Sequence, residues 1–300
     1  MTAVGRNDWD RPQPEADGPQ AEAFLCRLAD PQRPIIDARR VALVVAHPDD
    51  ETIGLGGQLP RLAGPTIVHV TDGAPFDMVD ASACGYASRQ SYAAARREEL
   101  LTALRRSCVA EEQLRELKVP DQQASRELVF ITHRLVDLFA AGGISLVLTH
   151  AYEGGHPDHD ATAFAVRAAA RRLAKAGKPV PQVIEMPYYH LGGDLMVTQQ
   201  FAAPAPTDAN AAGTTAEETI VPLSPAVVAE KRRMLACFVT QAKTLAAFDA
   251  TEERFRCAPD YDFARPANSG ALLYRYFEWG VTGEEWRLLA RWALHDLQLD

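Results

Sequence analysis

The stretch VALVVAHPDDETIGLGG, residues 41–57, decides the fold of this chain. Its first part, Val41–Ala46, is an unbroken apolar run rich in β-branched residues, which predicts a strand buried on both faces. The segment ETIGLGGQLPRLA behind it predicts a helix, for which Asp49 or Asp50 is available as the N-cap. A buried strand, an acidic turn and a helix are together typical of the start of an α/β domain.

The same alternation of strand and helix continues towards the C-terminus. Strands are predicted over residues 66–71, 114–120, 144–149 and 182–187, with an edge strand over 271–277. Helices are predicted over residues 21–28, 86–107, 124–141, 158–175, 225–248 and 283–297. The pattern predicts an α/β fold, a Rossmann-like and mostly parallel sheet flanked by helices.

The composition of the chain predicts one domain with two less regular segments. Residues 1–20 are rich in Pro, Gly and acidic side chains and are predicted to be a disordered tail. Residues 21–300 are predicted to form the single domain, with an insertion loop over 191–218 whose second half consists of small, weakly hydrophobic residues.

Charge and cysteine content exclude several classes of function. The 300 residues include 31 Lys and Arg against 40 Asp and Glu, a net charge of −9, which argues against a nucleic-acid partner. No apolar run is long enough to span a bilayer, and the N-terminus lacks the pattern of a secretory signal, so no integral membrane contact is expected. Five scattered cysteines without a CxxC pair indicate a reducing, cytoplasmic location. The sequence is compatible with a homo-oligomer.

Two clusters of acidic and imidazole side chains follow predicted strands. AHPDDE, residues 46–51, comes directly after the first strand, and GGHPDHD, residues 154–160, lies in the loop after the fourth. Ligands of open parallel sheets bind beyond the carboxyl ends of the strands, where both clusters stand. Imidazole and carboxylate without thiolate suit a zinc-like divalent ion with three protein ligands and one open position.

Each cluster taken alone also has a purely structural interpretation. The adjacent Asp49 and Asp50 would serve as helix caps, and His156 and His159 would be ordinary loop residues on the surface. Two such clusters at strand ends of the same sheet favour the metal site over these alternatives.

The first cluster resembles the opening motif of the PIG-L/LmbE family of zinc-dependent deacetylases of N-acetylglucosamine-type substrates. Similar segments follow in the family's order: VTDGAP (70–75), ARREELLTAL (95–104), VPDQ (119–122) and GGHPDHDATAFAVRAAA (154–170). The resemblance covers about residues 41–187. It implies a hydrolase that removes the acetyl group from an N-acetylated amino sugar or its conjugate, a small-molecule substrate.

The resemblance also implies a ligand set and a metal. His47, Asp50 and His159 would hold one divalent ion. Zinc is the default for these nitrogen and oxygen donors, and iron fits the same side chains.

Further residues receive catalytic roles through the same resemblance. Asp49 would be the general base for a metal-bound water that attacks the amide carbonyl. His156 would stabilise the oxyanion and help the amine to leave, and Asp158 would orient His156.

The assignments for substrate binding are weaker. Arg96 matches the arginine of the family's R-x-x-E helix, although an exposed ion pair with Glu98 or Glu99 is an equal alternative. Some members carry a tyrosine just before HPDH, where this chain has two glycines, so either Tyr152 takes that role or no tyrosine does. Glu153 is a candidate for contacting a sugar hydroxyl.

Two other functions remain as alternatives to the deacetylase. A metal-dependent phosphoesterase would use the same side chains around two ions. A non-catalytic metal-binding module would be expected to have lost Asp49 or His156, and the sequence retains both.

Overall fold

The computed structural model describes residues 20–202, 217–268 and 270–300. The strands are β1 (Ile36–Asp37), β2 (Val41–Val45), β3 (Leu62–Ala63), β4 (Thr66–Pro75), β5 (Leu114–Asp121), β6 (Leu146–His150), β7 (Gln182–Met186), β8 (Tyr189–Gly192), β9 (Leu195–Thr198), β10 (Glu218–Pro222) and β11 (Glu252–Cys257). The helices are α1 (Ala21–Ala29), α2 (Asp50–Leu55), α3 (Val79–Ala83), α4 (Arg89–Arg106), α5 (Leu128–Gly142), α6 (Pro157–Lys175), α7 (Pro225–Leu235), α8 (Ala242–Leu245) and α9 (Gly283–Asp296).

One large mixed sheet organises the described residues. Within them it has seven strands in the order β10-β11-β7-β6-β2-β4-β5. The strands from β7 to β5 are parallel, and β11 and β10 extend the β7 edge in antiparallel fashion. The predicted mostly parallel sheet flanked by helices is confirmed, while the two antiparallel strands and the β8–β9 hairpin were not predicted.

The order of the strands determines where a ligand site forms. The chain runs from β2 outwards to β4 and β5, and then returns to the other side of β2 to form β6 and β7. A crevice opens at such a reversal, beyond the carboxyl ends of the two strands on either side of it. The loops that follow β2 and β6 carry the two clusters, so the topology brings the clusters together.

Each face of the sheet has its own hydrophobic core. Along β2, Ala42 and Val44 face the core formed with α5, α6 and α9. Leu43 and Val45 face the opposite core, formed with α1, α2, α4 and α7. All five residues of β2 are buried, as expected for a central strand covered by helices on both faces.

The predicted helix over 225–248 is wrong in its length. It is divided into α7 and α8, with a 3₁₀ turn over Val239–Gln241 between them. The carboxylate of Glu99 accepts hydrogen bonds from the backbone N–H of Thr240 at 2.9 Å and from its hydroxyl at 2.6 Å. This tertiary contact from α4 holds the chain in the break, which the local helical pattern does not reveal.

The predicted edge strand over 271–277 is also wrong. Leu273–Tyr276 form a 3₁₀ turn, and the backbone N–H of Leu273 donates to the carbonyl of Gly154 at 2.9 Å. The segment therefore pairs with the loop after β6 instead of with the edge of the sheet.

Some predictions fall on residues that lie outside the described part of the chain. The tail predicted over residues 1–20 is described only at Gln20, and residues 203–216 of the predicted insertion loop are not described. The described part of that insertion contains residues 191–198, which belong to the β8–β9 hairpin, and Glu218, the first residue of β10. Among the described helices, none combines the length and the apolar character needed to cross a membrane.

A buried ion pair fixes the position of α2, the helix that carries the first cluster. Lys231 of α7 donates from Nζ to Oε1 of Glu253 at 2.7 Å and to the carbonyl of Ile53 at 2.8 Å. The same Glu253 oxygen accepts the backbone N–H of Gly57 at 2.7 Å. The side chains of Lys231 and Glu253 are both 0% exposed, so neither charge has water to replace its partner.

Replacing Lys231 by Met is expected to lower the free energy of unfolding by about 3–5 kcal/mol, because it leaves a buried carboxylate without its partner. The double variant Lys231→Met/Glu253→Gln removes the charge and keeps an acceptor for Gly57, so it should regain at least half of the loss. Urea unfolding followed by circular dichroism measures both. The control is Arg233→Met, an exposed position of the same helix, which should change stability by no more than about 0.5 kcal/mol. A single Lys231 variant as stable as the wild type would contradict this account.

Candidate active site

The two predicted clusters meet at the carboxyl edge of the sheet. The first lies between β2 and α2, and the second lies in the loop after β6 and in the first turn of α6. Pro157 occupies the first turn of α6, and Nδ1 of His156 accepts the backbone N–H of Asp158 at 3.1 Å as the N-cap. All of the side chains that the resemblance singled out as ligands or catalytic groups are buried: His47, Asp49, Asp50, His156, Asp158 and His159.

Donor atoms of three side chains from both loops, His47, Asp50 and His159, lie within 4.8 Å of one another. Nδ1 of His47 lies 3.2 Å from Nε2 of His159 and 3.4 Å from Oδ2 of Asp50. Oδ1 of Asp50 lies 3.4 Å from the same His159 nitrogen. Tetrahedral coordination with bonds of about 2.0–2.1 Å places ligand atoms about 3.3–3.4 Å apart. The spacing of the two histidine nitrogens fits a zinc-like ion, and each of them has one oxygen of the Asp50 carboxylate at a similar distance.

The other nitrogen of His47 faces carboxylates. Its Nε2 is 3.1 Å from Oδ1 of Asp121 and 3.5 Å from Oδ2 of Asp158. A metal-binding histidine commonly donates its second N–H to a carboxylate, which fixes the ring and its tautomer. Asp121 was missed as a site residue, although its VPDQ segment was recognised. The signal that identifies it is its position at the carboxyl end of β5, on the edge that carries both clusters.

The electrostatics of this pocket favour positive charge. Burial lowers the pKa of His47, but Asp121 and the other neighbouring carboxylates outweigh it and hold this pKa well above its usual value. Burial raises the pKa of Asp50, but His159 and His150 outweigh it and hold that pKa well below its usual value. A divalent cation bound between the His47, Asp50 and His159 side chains would supply positive charge at the same place.

Asp49 stands in a strained backbone conformation. Its φ of 131° and ψ of −28° lie outside the regions that a residue with a side chain normally adopts. Its backbone N–H donates to Oε2 of Glu51 at 3.0 Å, and that oxygen also lies 3.0 Å from Nε2 of His69. Both Glu51 and His69 are buried, so their contact stabilises the turn between β2 and α2 from the interior of the protein.

Arg96 reaches the same turn from α4. Its Nη2 donates to the carbonyl of Pro48 at 2.8 Å and to Oδ2 of Asp49 at 3.2 Å. The alternative of an exposed ion pair with Glu98 or Glu99 is wrong, because Arg96 is buried at 2% exposure. Burial raises the pKa of Asp49 to about 7, against the opposing effect of the Arg96 guanidinium.

Asp158 was expected to orient His156, and it contacts this ring through its main chain. The backbone N–H of Asp158 donates to Nδ1 of His156, whereas the Asp158 carboxylate accepts the backbone N–H groups of Gln122 at 2.6 Å and Ala124 at 3.0 Å. Since Nδ1 of His156 is an acceptor, the neutral ring carries its proton on Nε2. Burial, followed by the neighbouring imidazoles of His47 and His159, holds the pKa of His156 well below its usual value.

The structure places two of the predicted substrate residues inside the protein. The hydroxyl of Tyr152 donates to the carbonyl of Arg265 at 2.9 Å, and its ring stacks on Trp286 at 5.3 Å. Oε1 of Glu153 accepts the backbone N–H of Tyr188 at 2.7 Å. A side chain at Gly155 would meet the carbonyl oxygen of Tyr189 at 1.9 Å, so no tyrosine fits directly before His156.

His150 belongs to the site as well. This buried residue ends β6, and its Nε2 accepts the backbone N–H of Ala46 at 2.8 Å. Its ring stacks on His159 with centroids 4.1 Å apart. His150 therefore packs behind one of the three donor side chains.

Part of this chain matches a known family, and its fold is similar to that of solved structures. Residues 42–170 match the family described as PIG-L: GlcNAc-PI de-N-acetylase. No curated protein sequence matches the chain significantly. A zinc-inhibited form of teicoplanin deacetylase is similar in structure, with a TM-score of 0.52 and 14% identity over 72% of this chain and 97% of that chain. A deacetylase of an antimicrobial pseudoaglycone gives a TM-score of 0.56 and 19% identity over 75% of this chain and 99% of that chain. At such identities the similarity of these structures shows a shared fold.

The two positions around His47 are expected to contribute differently to metal affinity. If His47, Asp50 and His159 hold the ion, Asp50→Asn removes a charged donor and should weaken zinc binding by more than about 100-fold. Asp121→Asn would then remove only a partner of His47 and should weaken zinc binding by about 10–100-fold. Competition with a chelator of known affinity measures both, and His133→Ala, an exposed histidine on α5, is the control. A larger loss with Asp121→Asn than with Asp50→Asn would reverse the assignment and place the ion between His47, Asp121 and His156, whose donor atoms also lie within 4.8 Å of one another.

Glu51→Ala is expected to loosen the strained turn, because the buried N–H of Asp49 loses its acceptor, at a cost of about 1–3 kcal/mol. Hydrogen exchange of the peptide that contains Asp49 should then be faster than in the wild type. Glu51→Gln retains an acceptor oxygen and should exchange more slowly than Glu51→Ala. Equal exchange in all three proteins would show that Glu51 does not hold the turn.

Proposed function

We propose, on the premise that residues 42–170 belong to the PIG-L family, that this protein is a metal-dependent deacetylase of N-acetylated amino sugars or their conjugates. The proposed reaction is hydrolysis of a linear amide bond, which releases acetate and a free amine.

The observation that carries the proposal is the grouping of the His47, Asp50 and His159 side chains, whose two histidine nitrogens lie 3.2 Å apart and each have one oxygen of Asp50 at 3.4 Å, distances that fit a shared zinc-like ion. Three protein donors leave one position open, as in catalytic metal sites. A divalent ion bound there supplies a Lewis acid for the amide carbonyl and lowers the pKa of a coordinated water. Zinc is the proposed metal, and iron fits the same donors.

Asp49 is the proposed general base. It is adjacent in sequence to Asp50, and the strained turn separates their two carboxylates: Asp50 faces the donor histidines, and Asp49 faces Arg96. Its carboxylate takes a proton from the attacking water as the oxygen bonds to the carbonyl carbon. That proton is then available to the amine nitrogen when the carbon–nitrogen bond breaks.

His156 is the proposed group that stabilises the oxyanion. Its Nδ1 is held by the backbone N–H of Asp158, so its Nε2–H is the remaining donor of the ring. A positioned donor of this kind is most effective where negative charge develops in a site shielded from water.

Arg96 is proposed to position Asp49, because it bonds both the Asp49 carboxylate and the carbonyl of Pro48. The substrate-binding roles of Tyr152 and Glu153 remain predictions. The hydrogen bonds of both within the protein favour instead a role in building the loop after β6.

The alternative of a two-metal phosphoesterase is less well supported. It would need a second ion between His47, Asp121 and His156 in addition to the first. The contact between Asp121 and His47 is already explained by the carboxylate that orients a metal-binding histidine.

A reducing, cytoplasmic location is proposed together with this activity. All five cysteines of the chain are free thiols, which a reducing compartment preserves.

Asp49→Asn and His156→Ala are expected to retain metal and to lower kcat by at least about 100-fold, because each removes a group that moves a proton or stabilises charge in the reaction. Acetate release from N-acetylglucosamine conjugates measures activity, and elemental analysis of the same samples measures metal. Activity of the wild type should disappear with a chelator and return with zinc, and His133→Ala should behave as the wild type. Near-full activity of either variant would overturn its role.

A further inference from the structure

The segment over residues 270–282 closes against the second cluster, although it lies outside the matched residues 42–170. The backbone N–H of Leu273 donates to the carbonyl of Gly154 at 2.9 Å, and the hydroxyl of Tyr274 donates to Oδ2 of Asp160 at 2.5 Å. These bonds fix the segment to the loop that carries His156. Its exposed side chains are therefore held in place relative to the site.

An aromatic row leads from this site to the solvent; it consists of His156, Trp279 and Phe277. The ring centroids of Trp279 and His156 are 4.4 Å apart. The ring of Phe277 stacks on Trp279 with centroids 4.6 Å apart and an interplanar angle of 10°. His156 is 6% exposed, whereas Phe277 is 47% exposed and the neighbouring Tyr276 is 59% exposed. The row thus begins beside the reacting groups and ends at the surface.

The exposure of the Phe277 and Tyr276 rings is unfavourable unless something covers them. Large aromatic side chains gain most from burial, and a tethered segment that holds them in water forgoes that gain. Binding sites for small molecules are lined mainly by such rings, with a few polar groups that orient the ligand. Here the polar groups are those around His47 and His156, and the row continues directly from them.

We propose that Trp279 and Phe277 form a subsite for an apolar aglycone, an aryl or alkyl group joined to the amino sugar. This inference rests on the proposed deacetylase function. With the amide carbonyl beside His156, the sugar extends from the amide nitrogen along the row. The group that the sugar carries then reaches Phe277, the exposed end.

The test compares the phenyl and methyl glycosides of N-acetylglucosamine. Wild-type protein should show a kcat/KM for the phenyl glycoside about tenfold or more above that for the methyl glycoside, as expected for burial of one aromatic ring. Phe277→Ala and Trp279→Ala should reduce this ratio to about one. Trp292→Ala, which changes an exposed tryptophan of α9, should leave both rates unchanged. A ratio near one in the wild type, or a ratio that both row variants retain, overturns the subsite.

A binding experiment separates this subsite from the catalytic proposal. Saturation-transfer NMR with the phenyl glycoside should show transfer to the phenyl protons in the wild type and much weaker transfer with Phe277→Ala. If neither glycoside is hydrolysed but this difference is seen, the deacetylase proposal fails and the subsite stands. The subsite is overturned if the wild type shows no saturation transfer to the phenyl protons. It is also overturned if analytical ultracentrifugation shows a dimer for the wild type and a monomer for Phe277→Ala, because the row is then an interface between copies of the chain.

Discussion

The burial of several carboxylates around one imidazole is the constraint on which this structure depends. Asp50, Asp121 and Asp158 all lie within 3.5 Å of a ring nitrogen of His47, in a region largely withdrawn from water. Charges in such a place are costly unless each finds a partner, and unpaired like charges raise the cost. Positive charge therefore stabilises these buried carboxylates. The imidazoles supply part of it, and a bound divalent cation would supply more.

The main chain supplies many of the remaining partners. Asp158 is held by the N–H groups of Gln122 and Ala124, and Asp50 accepts the N–H of His47 at 2.7 Å. These donors exist because the loops after β2, β5 and β6 meet at one edge of a parallel sheet. The strained conformation of Asp49 belongs to the same arrangement, since it separates the carboxylate of Asp49 from that of its neighbour.

The chain divides into a part that contains the proposed metal-binding residues and a part that covers them. The former lies within residues 42–170, the segment that matches the family. The latter includes α9, where Nε1 of Trp286 donates to the carbonyl of Pro157 at 3.1 Å, and the turn that carries Tyr274. Because these later residues cover the second cluster without contributing donor atoms to the group of His47, Asp50 and His159, they are suited to determine which substrate reaches it.

The sequence by itself determined the parallel core of the sheet and the two clusters. Both are local patterns: an unbroken apolar run such as Val41–Val45 and an adjacent group of acids and histidines. Local patterns of this kind can be recognised in the sequence alone. Only the tertiary structure decided that Asp121 faces His47, that Arg96 is buried against Asp49, and that residues 225–248 are broken into two helices. The partners in those contacts come from distant parts of the chain, so their free energy depends on packing that leaves no periodic trace in the sequence.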